Sequence, residues 1–205
     1  NRKYPGIIFK QDREVGNEIL KVDNLSLSID GKAVFSKIKF DIQKGDKIAF
    51  ISRDPIAPTS FFLLFSGRLQ ADSGTYECGI TVTTAYLPND NSEYFEGSTL
   101  NLMDWLRQYV PPTTKDVDED FLRGFLGKML FSGDEILKKT NVLSGGEKVR
   151  CMISKMMLQN PNVLILDVPT NHLDLQSIIY LNDNMVAYNS VILLTTHDHH
   201  FMQTV

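Results

Sequence analysis

Apolar positions recur at every second residue through much of the first half of the chain and at every third or fourth through much of the second. From residue 19 to about 45, ILKVDNLSLSIDGKAVFSKIKFDIQKGD alternates in short segments, most cleanly over residues 34–42, and Asp30-Gly31 supplies a turn. This predicts a small antiparallel sheet. KIAFIS, residues 47–52, is a mostly apolar run suited to a strand covered on both faces, and TSFFLLFSG after it suits a short helix ended by Gly67. TYECGITVTTAYL, residues 75–87, returns to strand spacing with a central glycine.

Between about residues 91 and 141 the spacing turns helical. NLMDWLRQY is one segment, and DFLRGFLGKMLF is another, with Phe121, Leu122, Phe125, Leu126 and Leu130 on one face. Pro111-Pro112 and DVDED separate them, and Trp105 and Tyr109 are expected to pack inside this helical subdomain. Next, EKVRCMISKMML sets Val149, Met152, Ile153, Met156 and Met157 at helical spacing as a core stripe, with Lys148, Arg150 and Lys155 as its solvated side. NVLILD is a buried strand, LQSIIYLNDNMVAY a last helix, and VILLTTH another buried strand. Strands alternating with crossover helices predict a parallel sheet, so the fold class is α/β with a small antiparallel β subdomain and a helical subdomain. Residues 1–18 are charged and without a period, which reads as the end of a linker. The domain is expected over residues 19–205.

Composition narrows the function classes. With 205 residues, 42% hydrophobic and 22% charged, the chain can bury a substantial core as one domain with a subdomain. A net charge of -4 gives no support to a general polyanion binder. Cys78 and Cys151 lie far apart, without the paired spacing of a zinc site or the density of a disulfide scaffold, which fits a reducing, cytoplasmic setting. No apolar run approaches the roughly 18 residues of a membrane helix, so no membrane partner is expected. The sequence starts without Met and stops soon after an apolar run, so it is expected to be a piece of a longer protein with its C-terminus truncated.

The candidate chemistry lies in NVLSGGEKVRC and NVLILDVPTNHLDLQS. Ser144, Gly145 and Gly146 open a long helix, where unpaired N–H groups and the helix dipole favour an anion and glycines let a phosphate approach. An ordinary N-cap serine is the other reading. Asp167 ends a buried strand, a position from which a carboxylate holds Mg²⁺ or caps a turn. His197, His199 and His200 in an extended segment diverge, so no metal cluster is expected there.

LSGGE, LILDVPTNHLD and LLTTHD, in that order, resemble the nucleotide-binding cassette of ABC ATPases, a P-loop NTPase-like fold, over about residue 19 to the end. PTNHLD, with Asn171, His172, Leu173 and Asp174, is similar to the ABC-F class of twin-cassette, ribosome-associated proteins. YPGIIFKQDREVGN, NSEYFEGSTLNLMDWLR and FLRGFLGKMLFSGDE are similar to the second cassette of its YbiT or YkpA type. The resemblance implies ATP and Mg²⁺ as cofactors. It implies that Ser144, Gly145, Gly146 and Glu147 contact the ATP held by a partner cassette, that Asp167 is the magnesium-associated carboxylate, that Asp174 is the D-loop, and that His197 is the switch histidine. The partner is a second cassette of the same polypeptide or a second copy of this chain, with the ribosome and its RNA as the partner of the whole protein.

Several positions depart from the family pattern. SRDPIAPTS, residues 52–60, occupies the phosphate loop with no glycine, and Pro58 stands where the family has lysine. Pro55 and Pro58 each delete an N–H donor. Thr59 and Ser60 keep hydroxyls, Thr59 at the magnesium position. Val168 stands at the catalytic glutamate, and loss of a general base costs on the order of 10² to 10⁴ in rate. Asn89 replaces the Q-loop glutamine, and Ile29 falls where an aromatic would stack on adenine. Arg53 is read as solvated. These departures predict a cassette that does not hydrolyse ATP in its own site but serves its partner's. Two rivals are a transporter's degenerate cassette and a binding module with no nucleotide role.

Overall fold

The computed structural model describes residues 5–195. Two sheets organise them. β1 (Glu18–Ile29) pairs antiparallel with β2 (Lys32–Gln43) and with β4 (Ser73–Cys78), giving the order β2-β1-β4. The alternation over residues 19–43 is what lets this small sheet turn Ile19, Val22, Leu25 and Ile42 inward, all at 0% exposure.

The second sheet is parallel, in the order β3 (Lys47–Ala49), β7 (Val191–Thr195), β6 (Val163–Asp167) and β5 (Thr84–Leu87). Its two central strands are buried along their whole length. Period two divides their side chains between two cores. Leu164, Leu166, Ile192 and Leu194 join the core formed with α4 (Gly145–Gln159) and α5 (Leu175–Ala187). Val163, Ile165, Val191 and Leu193 join the core under α1 (Ile56–Phe65) and the antiparallel sheet.

α2 (Leu102–Arg107) and α3 (Glu119–Lys128) form the helical subdomain. Each starts at a side-chain cap, Asn101 accepting from the Asp104 N–H and Asp118 from the Phe121 N–H. Trp105 is 1% exposed, stacks on Phe95 and donates its indole N–H to the Tyr94 carbonyl, as packing within the subdomain requires.

Several expectations change. The run over residues 47–52 is not covered on both faces: β3 is a three-residue edge strand, and Ile51 is 80% exposed. Residues 75–87 are not one strand but β4 and β5 in different sheets. They break at Gly79, where a Cβ would fall 2.3 Å from the Glu18 carbonyl oxygen. Finally, Lys155 is not on a solvated face; it is 8% exposed, with its ammonium 4.2 Å from the Tyr94 ring centre and 4.5 Å from that of Tyr109.

Residues 5–17, read from the sequence as a linker end, are irregular yet packed. Ile7 and Phe9 are buried in one core and Val15 in the other. Gly6 N–H donates to the Lys128 carbonyl, Asp12 N–H to that of Asn160, and Lys44 N–H to that of Asn17. The segment therefore runs from the helical subdomain past the end of α4 to the antiparallel sheet.

Candidate functional site

Asp167 ends β6 at 2% exposure, and both of its oxygens are engaged. Thr59 Oγ1, in the first turns of α1, donates to Oδ2 at 2.6 Å. Thr195 Oγ1 donates to Oδ1 at 2.6 Å, and the Tyr86 hydroxyl lies 3.5 Å from Oδ2. Sheet register explains Thr195, which is the direct partner of Asp167 across β6 and β7, so the two side chains emerge on one face. Burial raises the Tyr86 phenol above its ordinary pKa, and the Asp167 charge acts in the same direction.

Thr59, Asn89, Asp167 and Val168 line one cavity of about 220 Å³ with Ser52 and Pro58. Asn89 accepts a hydrogen bond of 2.8 Å from the Asn171 amide. Ser60 is buried within α1, and Ile29 closes β1 at 38% exposure. The carboxylate of Asp167 and the hydroxyl of Thr59 are hard oxygen donors in contact, a pair that fits Mg²⁺. Among the described residues, no three His, Cys, Asp or Glu side chains converge to hold a metal.

The loop over residues 52–58 fits a phosphate chain poorly. Pro55 is the N-cap of α1, with no side-chain cap of its own. One residue earlier, Asp54 Oδ1 accepts the Ile56 N–H at 2.9 Å, and Ser52 Oγ accepts the Asp54 N–H at 3.2 Å. A carboxylate thus occupies the helix N-terminus at which an anionic ligand would be received. Pro55 and Pro58 contribute no N–H, and two donors that remain are already taken. Asp54 is not singled out by the sequence pattern; its signal is an acidic side chain two residues ahead of a helix start.

Val168 follows Asp167 with φ at 49°, a left-handed conformation that β-branched residues rarely adopt. Its N–H donates to Thr195 Oγ1 at 2.9 Å and to the Thr195 carbonyl at 3.1 Å, contacts that hold the turn against its strain. An isopropyl group therefore sits beside the polar cavity, where it neither accepts nor donates a proton.

Ser144, Gly145, Gly146 and Glu147, of the LSGGE stretch that resembles the family's signature motif, do not line that cavity. Ser144 is the N-cap of α4; its Oγ accepts the Glu147 N–H at 3.3 Å, and Glu147 Oε2 accepts the Ser144 N–H at 2.8 Å. This is a capping box, and the bond from Ser144 holds the Glu147 carboxyl below its usual pKa. The structure shows the cap, and the N–H groups of Gly145 and Gly146 have no acceptor within the helix. Asp174 caps α5 by accepting the Ser177 N–H at 2.8 Å. His197 lies outside the described residues.

Comparison with known proteins gives these positions a context. The family model described as ABC transporter matches residues 35–171, more than half of the chain. The chain is 55% identical over 205 residues to the ABC transporter ATP-binding protein YkpA of Bacillus subtilis and 34% identical over 205 residues to the ATP-binding protein YbiT of Escherichia coli O157:H7. In both cases all of this chain is matched, and it spans 37% and 38% of those proteins' lengths. The fold is also that of cbiO1 from Clostridium perfringens, part of the ABC transporter complex cbiONQ. The TM-score is 0.62 at 22% identity, covering 89% of this chain and 80% of that one. Two sheets, an intact signature helix and an aspartate at the end of β6 accord with this match, and the chain belongs to the ABC transporter family as an ATP-binding domain related to proteins of the YbiT kind.

Proposed function

We propose that this domain is one half of an asymmetric pair of ABC-F type cassettes. It supplies Ser144, Gly145 and Gly146 to ATP held by a partner cassette, and its own site does not hydrolyse ATP. The observation that carries the reading is the contrast between two helix N-termini. That of α1 opens in a loop with two prolines and has its Ile56 N–H taken by the Asp54 carboxylate, whereas that of α4, capped by Ser144 and Glu147, keeps two glycines whose N–H groups the cap does not take. Thr59 and Asp167 would hold Mg²⁺ in the domain's own site. Bound Mg²⁺ would supply positive charge there, but no hydrolytic step follows, because Val168 offers no base. The partner is a second cassette in the same polypeptide or a second copy of this chain. The whole protein acts in the cytoplasm on the ribosome and its RNA.

The test is Ser144→Arg in the full-length protein that contains this domain. ATP turnover falls to background if the signature serves the partner's ATP, whereas undiminished turnover overturns the reading. A transporter cassette is the second reading, favoured by the fold shared with cbiO1. Sedimentation of the full-length protein with ribosomes supports the first reading, and recovery with membranes supports the second.

A further inference from the structure

The side chain of His172, in PTNHLD, lies against the signature end of its own domain. Its backbone is left-handed, with φ at 63°. A Cβ built on Gly145 would meet His172 Nδ1 at 3.2 Å and Cγ at 3.3 Å, and one built on Gly146 would meet the His172 carbonyl oxygen at 2.8 Å. Neither glycine adopts a positive φ, so neither is required by its backbone conformation. Both stand in α4, where alanine is the better helix former. Within the domain, the His172 carbonyl leaves no room for a Cβ on Gly146, and its imidazole would have to give by a few tenths of an ångström to admit one on Gly145.

We propose that His172 is a positioning residue that docks residues 168–174 onto the N-terminus of α4, and that Gly145 is the seat for its imidazole. The same loop is pinned at its other side, where Asn171 donates from its N–H to the Val168 carbonyl at 3.1 Å and from its amide to Asn89 at 2.8 Å. It ends at Asp174, which caps α5. Seating His172 on Gly145 makes the Asp167 cavity and the signature two ends of one body, so a displacement at either end is felt at the other. For turnover, the inference rests on the proposed role of Ser144, Gly145 and Gly146; for structure, it does not.

A double-mutant cycle on Gly145→Ala and His172→Ala tests it, read by amide hydrogen exchange over residues 171–174 in this domain and by ATP turnover in the full-length protein. Each single change is expected to speed exchange severalfold, and the double variant to exchange no faster than His172→Ala alone, because both remove the same contact. Gly146→Ala is the control. It meets the His172 carbonyl oxygen, which His172→Ala retains, so Gly146→Ala should speed exchange further in the His172→Ala background, where Gly145→Ala should not. Independent, multiplying effects of Gly145→Ala and His172→Ala overturn the proposal, as does unchanged exchange in His172→Ala. Gly145→Ala that lowers turnover while leaving exchange untouched also overturns it, because the glycine then serves the partner's phosphate alone. Failure of the proposed function is seen separately, as undiminished turnover in Ser144→Arg, and leaves the exchange result to decide this point.

Discussion

The hydroxyl of Thr59 donates to the Asp167 carboxylate at 2.6 Å, tying the N-terminal part of α1 to the end of β6. Asp167 is 2% exposed and, among the described residues, its hydrogen-bond partners are the hydroxyls of Thr59, Thr195 and Tyr86, so this buried polar group depends on them. Thr59→Val should therefore destabilise the domain by about 1–3 kcal/mol. Thr195→Val should cost more, because Thr195 Oγ1 both donates to Asp167 and accepts the Val168 N–H. The two changes should combine non-additively, since they share one carboxylate. Urea denaturation of the two single variants and the double variant gives all three values.

Val168 invites the opposite experiment, a glutamate placed beside Asp167. Val168→Glu alone should add no measurable ATP turnover to the domain's own site. The added base meets a loop in which Pro55 and Pro58 still lack N–H groups and Asp54 still holds the Ile56 N–H. Turnover measured in a Ser144→Arg background of the full-length protein isolates this site if the partner's site is silenced there. A gain of tenfold or more from Val168→Glu would show that the loop still receives phosphate.

How far the sequence carries depends on whether a feature is local. The fully buried strands β6 and β7 are apolar up to their last residues, Asp167 and Thr195, and the Ser144 cap and the Met152 and Met156 stripe follow from spacing along one helix. The Thr195–Asp167 contact needs the sheet register, which no local pattern states. Lys155 reads as solvated from spacing because it shares α4 with two other basic residues. Tyr94 and Tyr109, which enclose it, arrive from segments more than 40 residues away. Ile7 and Phe9 stand among polar and charged residues, and without a period their burial is a tertiary fact.

That burial makes residues 5–17 a structural strap. In a true linker, Ile7→Ala would change stability by no more than about 0.5 kcal/mol. Here Ile7 is 1% exposed in the core shared with α3 and α4, and its loss should cost about 2–5 kcal/mol. Phe9→Ala should cost at least as much, because Phe9 also packs edge-on against Tyr188 at 6.2 Å. Thermal melting of the two variants beside wild type separates strap from linker.

Lys155 yields a prediction in pH. Burial lowers its pKa from the ordinary 10.5 to about 8; nearby Arg68 acts in the same direction and Glu93 in the other. Below pH 8 the lysine is charged in both the folded and the unfolded chain, and the folded state carries the cost of burying that charge. As pH rises from about 8 toward 10.5 the unfolded chain holds the proton longer, so stability rises with pH across this window. A tenfold difference in proton affinity between the folded and unfolded chain is worth about 1.4 kcal/mol, which puts the full rise at roughly 3 kcal/mol. Tyr94 and Tyr109 also have raised pKa values through burial, and their loss of protons in the unfolded chain works against stability near pH 10. Burial also raises the thiols of Cys78 and Cys151 above their ordinary 9.0, so their ionisation in the unfolded chain opposes the rise from about pH 8.5. The Lys155 effect is therefore read over about pH 7.5 to 9.5 as a difference from a variant that keeps both cysteines and every tyrosine. Lys155→Met keeps most of the length of the side chain and its contact with both rings while removing the charge. It should be at least as stable as wild type at about pH 7, and the difference between the two should shrink steadily toward the upper end of that interval. A difference independent of pH in urea titrations across the same interval would mean that the amine keeps its proton against the two tyrosine rings.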